Sequence, residues 1–137
     1  MTRVIDASIA CKWYLDENGS EEARALLEEL ETILVAPDII IAEVTNVLWL
    51  RLRRGEIGEE QATLATSHLA NSFLTLIPSR TLIDRALKIA REIDHPIYDC
   101  LYLAAAERWE ADFVTADKRL GRKLQESTLS IPFLVLG

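Results

Sequence analysis

The sequence predicts an α/β protein built around a mainly parallel sheet. Short β-branched apolar segments recur along the chain, and segments of helical periodicity stand between them. Only five glycines and four prolines interrupt the chain, so loops are short and no linker divides it. With 137 residues, half of them hydrophobic, the expectation is a single domain over residues 1–137.

The elements follow in order. Arg3-Val4-Ile5 reads as a strand ending at Asp6, and Asp6 can cap a helix that starts near Ala7. Ser20 can cap a helix from Glu21 to Glu31, with Ala23, Leu26, Leu27 and Leu30 as its apolar positions. Ile33-Leu34-Val35 reads as a strand stopped by Pro37. Asp38 can cap a helix to Arg54, closed by Gly55, and a further helix runs from Glu59 to about Phe73. Leu74–Ile77 reads as a strand, Leu82–Ile93 as a helix, and Ile97–Trp109 as an apolar helix restarted after Pro96. Asp112–Thr115 reads as a strand, Lys118–Gln125 as a helix, and Phe133–Leu136 as a last strand.

Composition narrows the function. The longest apolar run, Cys100 to Ala106, has seven residues, whereas a membrane span needs about twenty. The first residues lack the pattern of a secretory signal, and two cysteines, Cys11 and Cys100, make neither a disulfide framework nor a zinc site, so a reducing cytoplasm is expected. The net charge of -7 argues against a nonspecific nucleic-acid coat protein. Most of that charge is local, in the glutamate-rich stretch 16–31. Two basic clusters, Arg51/Arg53/Arg54 and Lys118/Arg119/Arg122/Lys123, can hold phosphate or serve as solvated helix ends.

In a parallel sheet the ligand sits beyond the carboxyl ends of the strands. Asp6 and Asp117 fall there, after the first and fourth strands, although each can also be a plain helix cap. Glu43 lies on an apolar stripe with Ile39, Ile40 and Val47, where a carboxylate is rarely buried without a partner, and Asn46 could steady it. Asp99 opens the apolar helix with no lysine or arginine close in sequence. The helix dipole favours a first-turn acid by about 0.3 to 1 kcal/mol, little beside the cost of drying an unpaired carboxylate. Four such acids on four segments would form an all-oxygen site suited to Mg²⁺ or Mn²⁺, able to activate water and offset charge on a phosphodiester. Asp112 stands at the start of its strand and is expected toward the opposite edge of the sheet.

The ordered set Val4-Ile5-Asp6-Ala7-Ser8, Lys12-Trp13, Glu43, Tyr98-Asp99 with Leu101 and Ala104-Ala105, and Phe113-Val114-Thr115-Ala116-Asp117 resembles the PIN-domain ribonucleases, most closely the VapC toxins of toxin–antitoxin pairs. The likeness spans essentially the whole chain. It implies a PIN-like three-layer fold with a five-stranded sheet flanked by helices. It implies Mg²⁺- or Mn²⁺-dependent endoribonuclease activity, with Asp6, Glu43, Asp99 and Asp117 as the acidic quartet holding metal. Ser8 and Thr115 match the hydroxyl positions that orient the carboxylates. It further implies an RNA substrate, a homodimer and a VapB-like antitoxin covering the site. Lys12 matches a frequent lysine of the family without an assigned role. The chemistry expected is in-line hydrolysis that displaces the 3′ oxygen and leaves 5′-phosphate and 3′-hydroxyl ends. His68 and His95 have ordinary structural readings, so two-histidine RNase chemistry finds little support.

Four other readings stand beside it; one, a response-regulator receiver, would want an adjacent acidic pair at the first strand and a phosphoacceptor aspartate ending a middle strand, and neither is found. A haloacid-dehalogenase type phosphohydrolase would need an acid at position 8, which is Ser8. A catalytically silent PIN-fold module that only grips RNA or protein would gain nothing from four unpaired acids, which repel phosphate. A thiol hydrolase would need an activated cysteine, and neither Cys11 nor Cys100 has an activating pattern nearby. For partners, the helix carrying Val47, Leu48, Trp49, Leu50 and Leu52 has more apolar surface than one core-facing stripe requires, which suits either a buried helix or an interface.

Overall fold

A computed structural model describes all residues, 1–137. Five parallel strands form one sheet in the order β3-β2-β1-β4-β5, with β1 Thr2–Ile5, β2 Ile33–Pro37, β3 Thr75–Ile77, β4 Asp112–Thr115 and β5 Phe133–Val135. The central strand β1 pairs Val4 with Val35 on one side and with Phe113 on the other. Val4 and Ile5 are both fully buried although they face opposite ways, as expected of a sheet covered on both faces. The helices are α1 Ala7–Tyr14, α2 Ser20–Glu28, α3 Ile39–Arg53, α4 Glu59–Leu69, α5 Ile83–Ile93, α6 Ile97–Arg108 and α7 Lys118–Glu126.

The chain winds from β1 through β2 to β3, then crosses back to β4 and β5. Right-handed crossovers therefore put α1–α4 on one face and α5–α7 on the other, giving three layers. The reversal falls between β1 and β4, so the crevice of the sheet opens beyond their carboxyl ends. Helix α6 packs against β1, β2 and β4, and its residues Cys100–Ala106 are buried without a break. Its polar side chains are confined to its two ends and Tyr102. No helix is long and apolar enough to cross a membrane.

The packing of α7 is unusually close at one point. A Cβ on Gly121 would come 2.6 Å from Cγ2 of Val135 in β5. Only a residue without a side chain lets the helix rest on that strand.

Several boundaries differ from the sequence reading. Ser20 begins α2 rather than capping it. Gly19, at φ 88°, is the cap, and the Ser20 hydroxyl donates to the Leu15 carbonyl (2.7 Å) and accepts from the Glu17 amide (3.0 Å). The helix stops at Glu28, not Glu31, and Leu30 is 101% exposed. A turn at Glu29–Thr32 is needed to bring the Ile33 amide to the Met1 carbonyl (2.8 Å), so sheet registration overrides helical periodicity. Asp38 does not cap α3 with its side chain; its Oδ1 accepts from the backbone amide and hydroxyl of Ser79. Helix α4 ends at Leu69 and a 3₁₀ turn, Ala70–Ser72, places Phe73 against Trp13 at 5.8 Å between ring centroids. Lys12 bonds the Asn18 carbonyl and Glu17, fastening the α1–α2 turn.

Candidate active site

Strand β1 delivers Asp6 into the crevice, where its carboxylate is buried, with the residue 4% exposed. Oδ1 accepts from the Ile9 amide (3.3 Å), capping α1, and from the Ser8 hydroxyl (2.5 Å). Oδ2 accepts from the Thr115 hydroxyl (2.5 Å). The residue is thus a cap and a candidate site acid at once. Burial pushes its pKa up to about 6; the Ser8, Thr115 and Ile9 donors pull against that, and the charge of Asp99 adds to it. No lysine or arginine pairs with it.

Strand β4 delivers Thr115 and Asp117. Asp117 caps α7, accepting from the amides of Arg119 (2.9 Å) and Leu120 (3.1 Å). Its own amide donates to Thr115 Oγ1 (3.0 Å), and the Ala116 amide donates to Ser8 Oγ (2.9 Å). The two loops are therefore stitched crosswise: a hydroxyl from each strand end serves the backbone or carboxylate of the other.

Asp99 enters from the first turn of α6 and Glu43 from α3. The partner that Asp99 lacks among lysines and arginines is His95, four residues earlier, whose Nε2 lies 2.6 Å from Asp99 Oδ2. Lys123 of α7 reaches the other ring nitrogen, Nδ1, at 3.2 Å. Glu43 receives a hydrogen bond from the hydroxyl of Tyr102 (2.5 Å), not from Asn46, which is exposed. Partial burial raises the Glu43 pKa, the Tyr102 bond lowers it and the charge of Asp99 raises it. Glu43 and Tyr102 come from opposite helical layers, so their bond spans the end of the sheet.

Asp99 is the shared neighbour of the other three acids. Its charge acts on Asp6 and on Glu43, and its ligand atom, one from Asp117 and one from His95 lie within 4.8 Å of one another. Asp112 sits at the start of β4, opposite Arg3 of β1 and away from this end. His95, Lys123 and Tyr102 are the neighbours that sequence reasoning missed. The only sequence signal was the i,i+4 spacing of His95 and Asp99 across Pro96.

Carboxylate oxygens that lack a cationic partner suit a hard divalent ion. Asp6 keeps lone-pair capacity beyond its three donors. The donor set, Asp99 with Asp117 close by and with Asp6 and Glu43 as charged neighbours, is thus of a kind that could hold a divalent ion. Thiol chemistry does not fit: burial pushes Cys11 up to about 12 and Cys100 up to about 11, so both stay protonated near neutral pH. A polar surface hollow lined by residues between Asp16 and Arg24 shares no residue with the cluster.

Known proteins carry the same arrangement of elements. Ribonuclease VapC3 of Pyrobaculum aerophilum is 30% identical over 128 residues, covering 90% of this chain and 95% of that one. The crystal structure of PAE2754 from Pyrobaculum aerophilum superposes with a TM-score of 0.71 at 23% identity, over 97% of this chain and 83% of that one. A toxin–antitoxin complex from Klebsiella pneumoniae gives a TM-score of 0.64 at 17% identity, over 97% of this chain and 96% of its own. At these identities the structures speak to the fold. The PIN domain family matches residues 3–124, a span that starts in β1 and takes in all four acids, Ser8 and Thr115. By that match and by its likeness to a VapC ribonuclease, the chain belongs to the PIN domain family.

Proposed function

We propose that the protein is a single-domain, Mg²⁺- or Mn²⁺-dependent endoribonuclease and the toxin of a type II toxin–antitoxin pair. The observation that carries this is Asp99, half-buried among three further carboxylates, with no lysine or arginine against any of them. A divalent ion held there supplies the positive charge that activates water and offsets the charge building on a phosphodiester.

The chain's own groups do the rest. Thr115 and Ser8 fix both oxygens of Asp6, and Tyr102 fixes Glu43, so the carboxylates are set before substrate arrives. The apolar body of α6 closes the floor of the crevice to bulk water. The two basic clusters differ. Arg51 is spent on Glu17 and Glu56, and Arg53 lies over Trp49 at 5.6 Å, whereas Lys118, Arg119 and Arg122 are exposed beside Asp117 and form no ion pair. Arg53 and Arg54 are likewise exposed and free of ion pairs, but the α7 cluster is the one beside an acid of the set, and it is the one assigned to RNA phosphates. Attack on phosphorus in line with the 3′ oxygen leaves 5′-phosphate and 3′-hydroxyl ends. The half-exposed Trp49 on α3, with Val47 and Leu50 partly buried beside it, supplies surface for a second copy or for a VapB-like antitoxin.

Total RNA incubated with the purified protein and Mn²⁺, followed by mapping of the ends, tests the reading. Cleavage with 5′-phosphate ends, abolished by EDTA and by Asp99→Asn, is expected. Full cleavage in excess EDTA, or by a folded Asp99→Asn variant, would refute it.

A further inference from the structure

The α5–α6 turn and α7 together build a polar chain behind the carboxylates. Asp94, in the left-handed conformation at φ 51°, turns its carbonyl to Lys123, whose ammonium donates to it (2.5 Å). The same ammonium lies 3.2 Å from His95 Nδ1, and His95 Nε2 lies 2.6 Å from Asp99 Oδ2. The imidazole is 7% exposed. An ammonium can only donate, so Nδ1 is the acceptor and the ring proton sits on Nε2, from which it is donated to Asp99. An imidazolium would instead turn an Nδ1–H toward the ammonium.

This bears on what His95 does. A ring nitrogen of His95 and one oxygen each from Asp99 and Asp117 lie close enough together for a three-residue metal site. A histidine binds metal through a ring nitrogen that carries no proton, and Lys123 holds the proton on the nitrogen that faces the acids. We propose that His95 is a positioning residue, not a ligand: with Lys123 fixing its tautomer, it holds the Asp99 carboxylate in the orientation that receives the divalent ion. The proposal rests on the metal-site reading above and adds a direction to it. Lys123 is drawn out of the basic cluster for this purpose, and Lys118, Arg119 and Arg122 are left facing solvent.

The test uses Mn²⁺ binding by titration calorimetry on three full-length proteins, with metal-free melting in EDTA as the folding control. His95→Gln places an amide N–H near the position of Nε2–H and should bind Mn²⁺ within about threefold of wild type. His95→Leu removes the donor and should lose affinity by about 10–100-fold, the range for a lost outer partner of a ligand. The electron spin-echo spectrum of wild-type protein with Mn²⁺ should lack ¹⁴N coupling from a bound imidazole. Such coupling, or a tenfold or greater loss in His95→Gln, makes His95 a ligand and overturns the proposal. An undiminished His95→Leu overturns it as well. Should His95→Leu not fold, the wild-type spectrum and His95→Gln decide between the two roles. Failure of the wild type itself to bind Mn²⁺ would bring down the site reading, and this inference with it, an outcome distinct from the others.

Discussion

The two halves of the carboxylate cluster are built on opposite principles. On the Asp6 side the acid is buried and is held by two hydroxyls and an amide, with no cation near it. On the Asp99–Asp117 side the acids are partly open to solvent, and a lysine stands one imidazole behind Asp99. Neutral donors fix the geometry of Asp6 without cancelling its charge, and burial then drives that charge toward protonation. The open half can exchange water, ions and substrate. One half supplies rigidity, the other access.

The largest expected effect follows from removing an acid from either half. Asp6→Asn and Asp99→Asn should each lower Mn²⁺-supported cleavage more than about a hundredfold, the upper end of what loss of an outer partner costs. Initial rates on a defined RNA measure this. If one variant keeps near-wild-type rates while folded, only the other half holds metal.

The halves should separate in stability. Asp6 has its folded pKa raised to about 6 from 3.8, so the folded state binds the proton more tightly than the unfolded chain. The stability it adds is complete below about pH 4 and is lost as pH rises through about 6, on the order of 3 kcal/mol. Denaturant melts of metal-free protein at pH 4 and 7.5 should show that fall, and Asp6→Asn should flatten it. Mn²⁺ at about a hundred times its dissociation constant should return roughly 2.7 kcal/mol to the wild type at pH 7.5. A wild-type profile without this fall would mean that the Asp6 site is wetter than its burial indicates.

Thr115→Val tests the stitching between the halves. It leaves Asp6 Oδ2 without a donor and the Asp117 amide without an acceptor, costing about 1–3 kcal/mol in metal-free melts at pH 7.5. Tyr102→Phe removes the donor to Glu43 and should cost about 1 kcal/mol, with the Glu43 proton held more tightly. The smallest effect is expected at the open rim. Arg119→Ala should raise KM severalfold, leave kcat unchanged, and lower the salt slope of RNA binding by about 0.7. An unchanged slope would place the RNA elsewhere.

The sequence shows the acids and the groups that hold them unequally. Asp6, Asp117 and the strands before them could be read because short β-branched runs followed by an acid are local patterns. Thr115 and Ser8 entered through family likeness, and their bonds to each other's loops span more than a hundred residues. Tyr102 was hidden in an apolar run, because its partner Glu43 lies 59 residues away. Lys123 was hidden for the same reason, since α7 meets the α5–α6 turn only in the folded chain. Ser20 and Leu30 show the opposite failure, in which a sound local pattern gives way to a glycine turn and to the register of β2.

Gly121 gives α7 the role of a lever on a fixed seat. A single methyl there would act as a shim against Val135, a stiff branched residue in a three-residue edge strand. Asp117 lies four residues to one side of that seat and Lys123 two residues to the other. A tilt of the rod therefore displaces a site acid and the clamp behind His95 together, and a displacement of about 1 Å is enough to cost two orders of magnitude in rate. Alignment of the chemistry is thus held by the clearance between a backbone and one valine at the far margin of the sheet. Exchanges at Val135 or Gly121, which touch none of the acids, become a dial on their spacing.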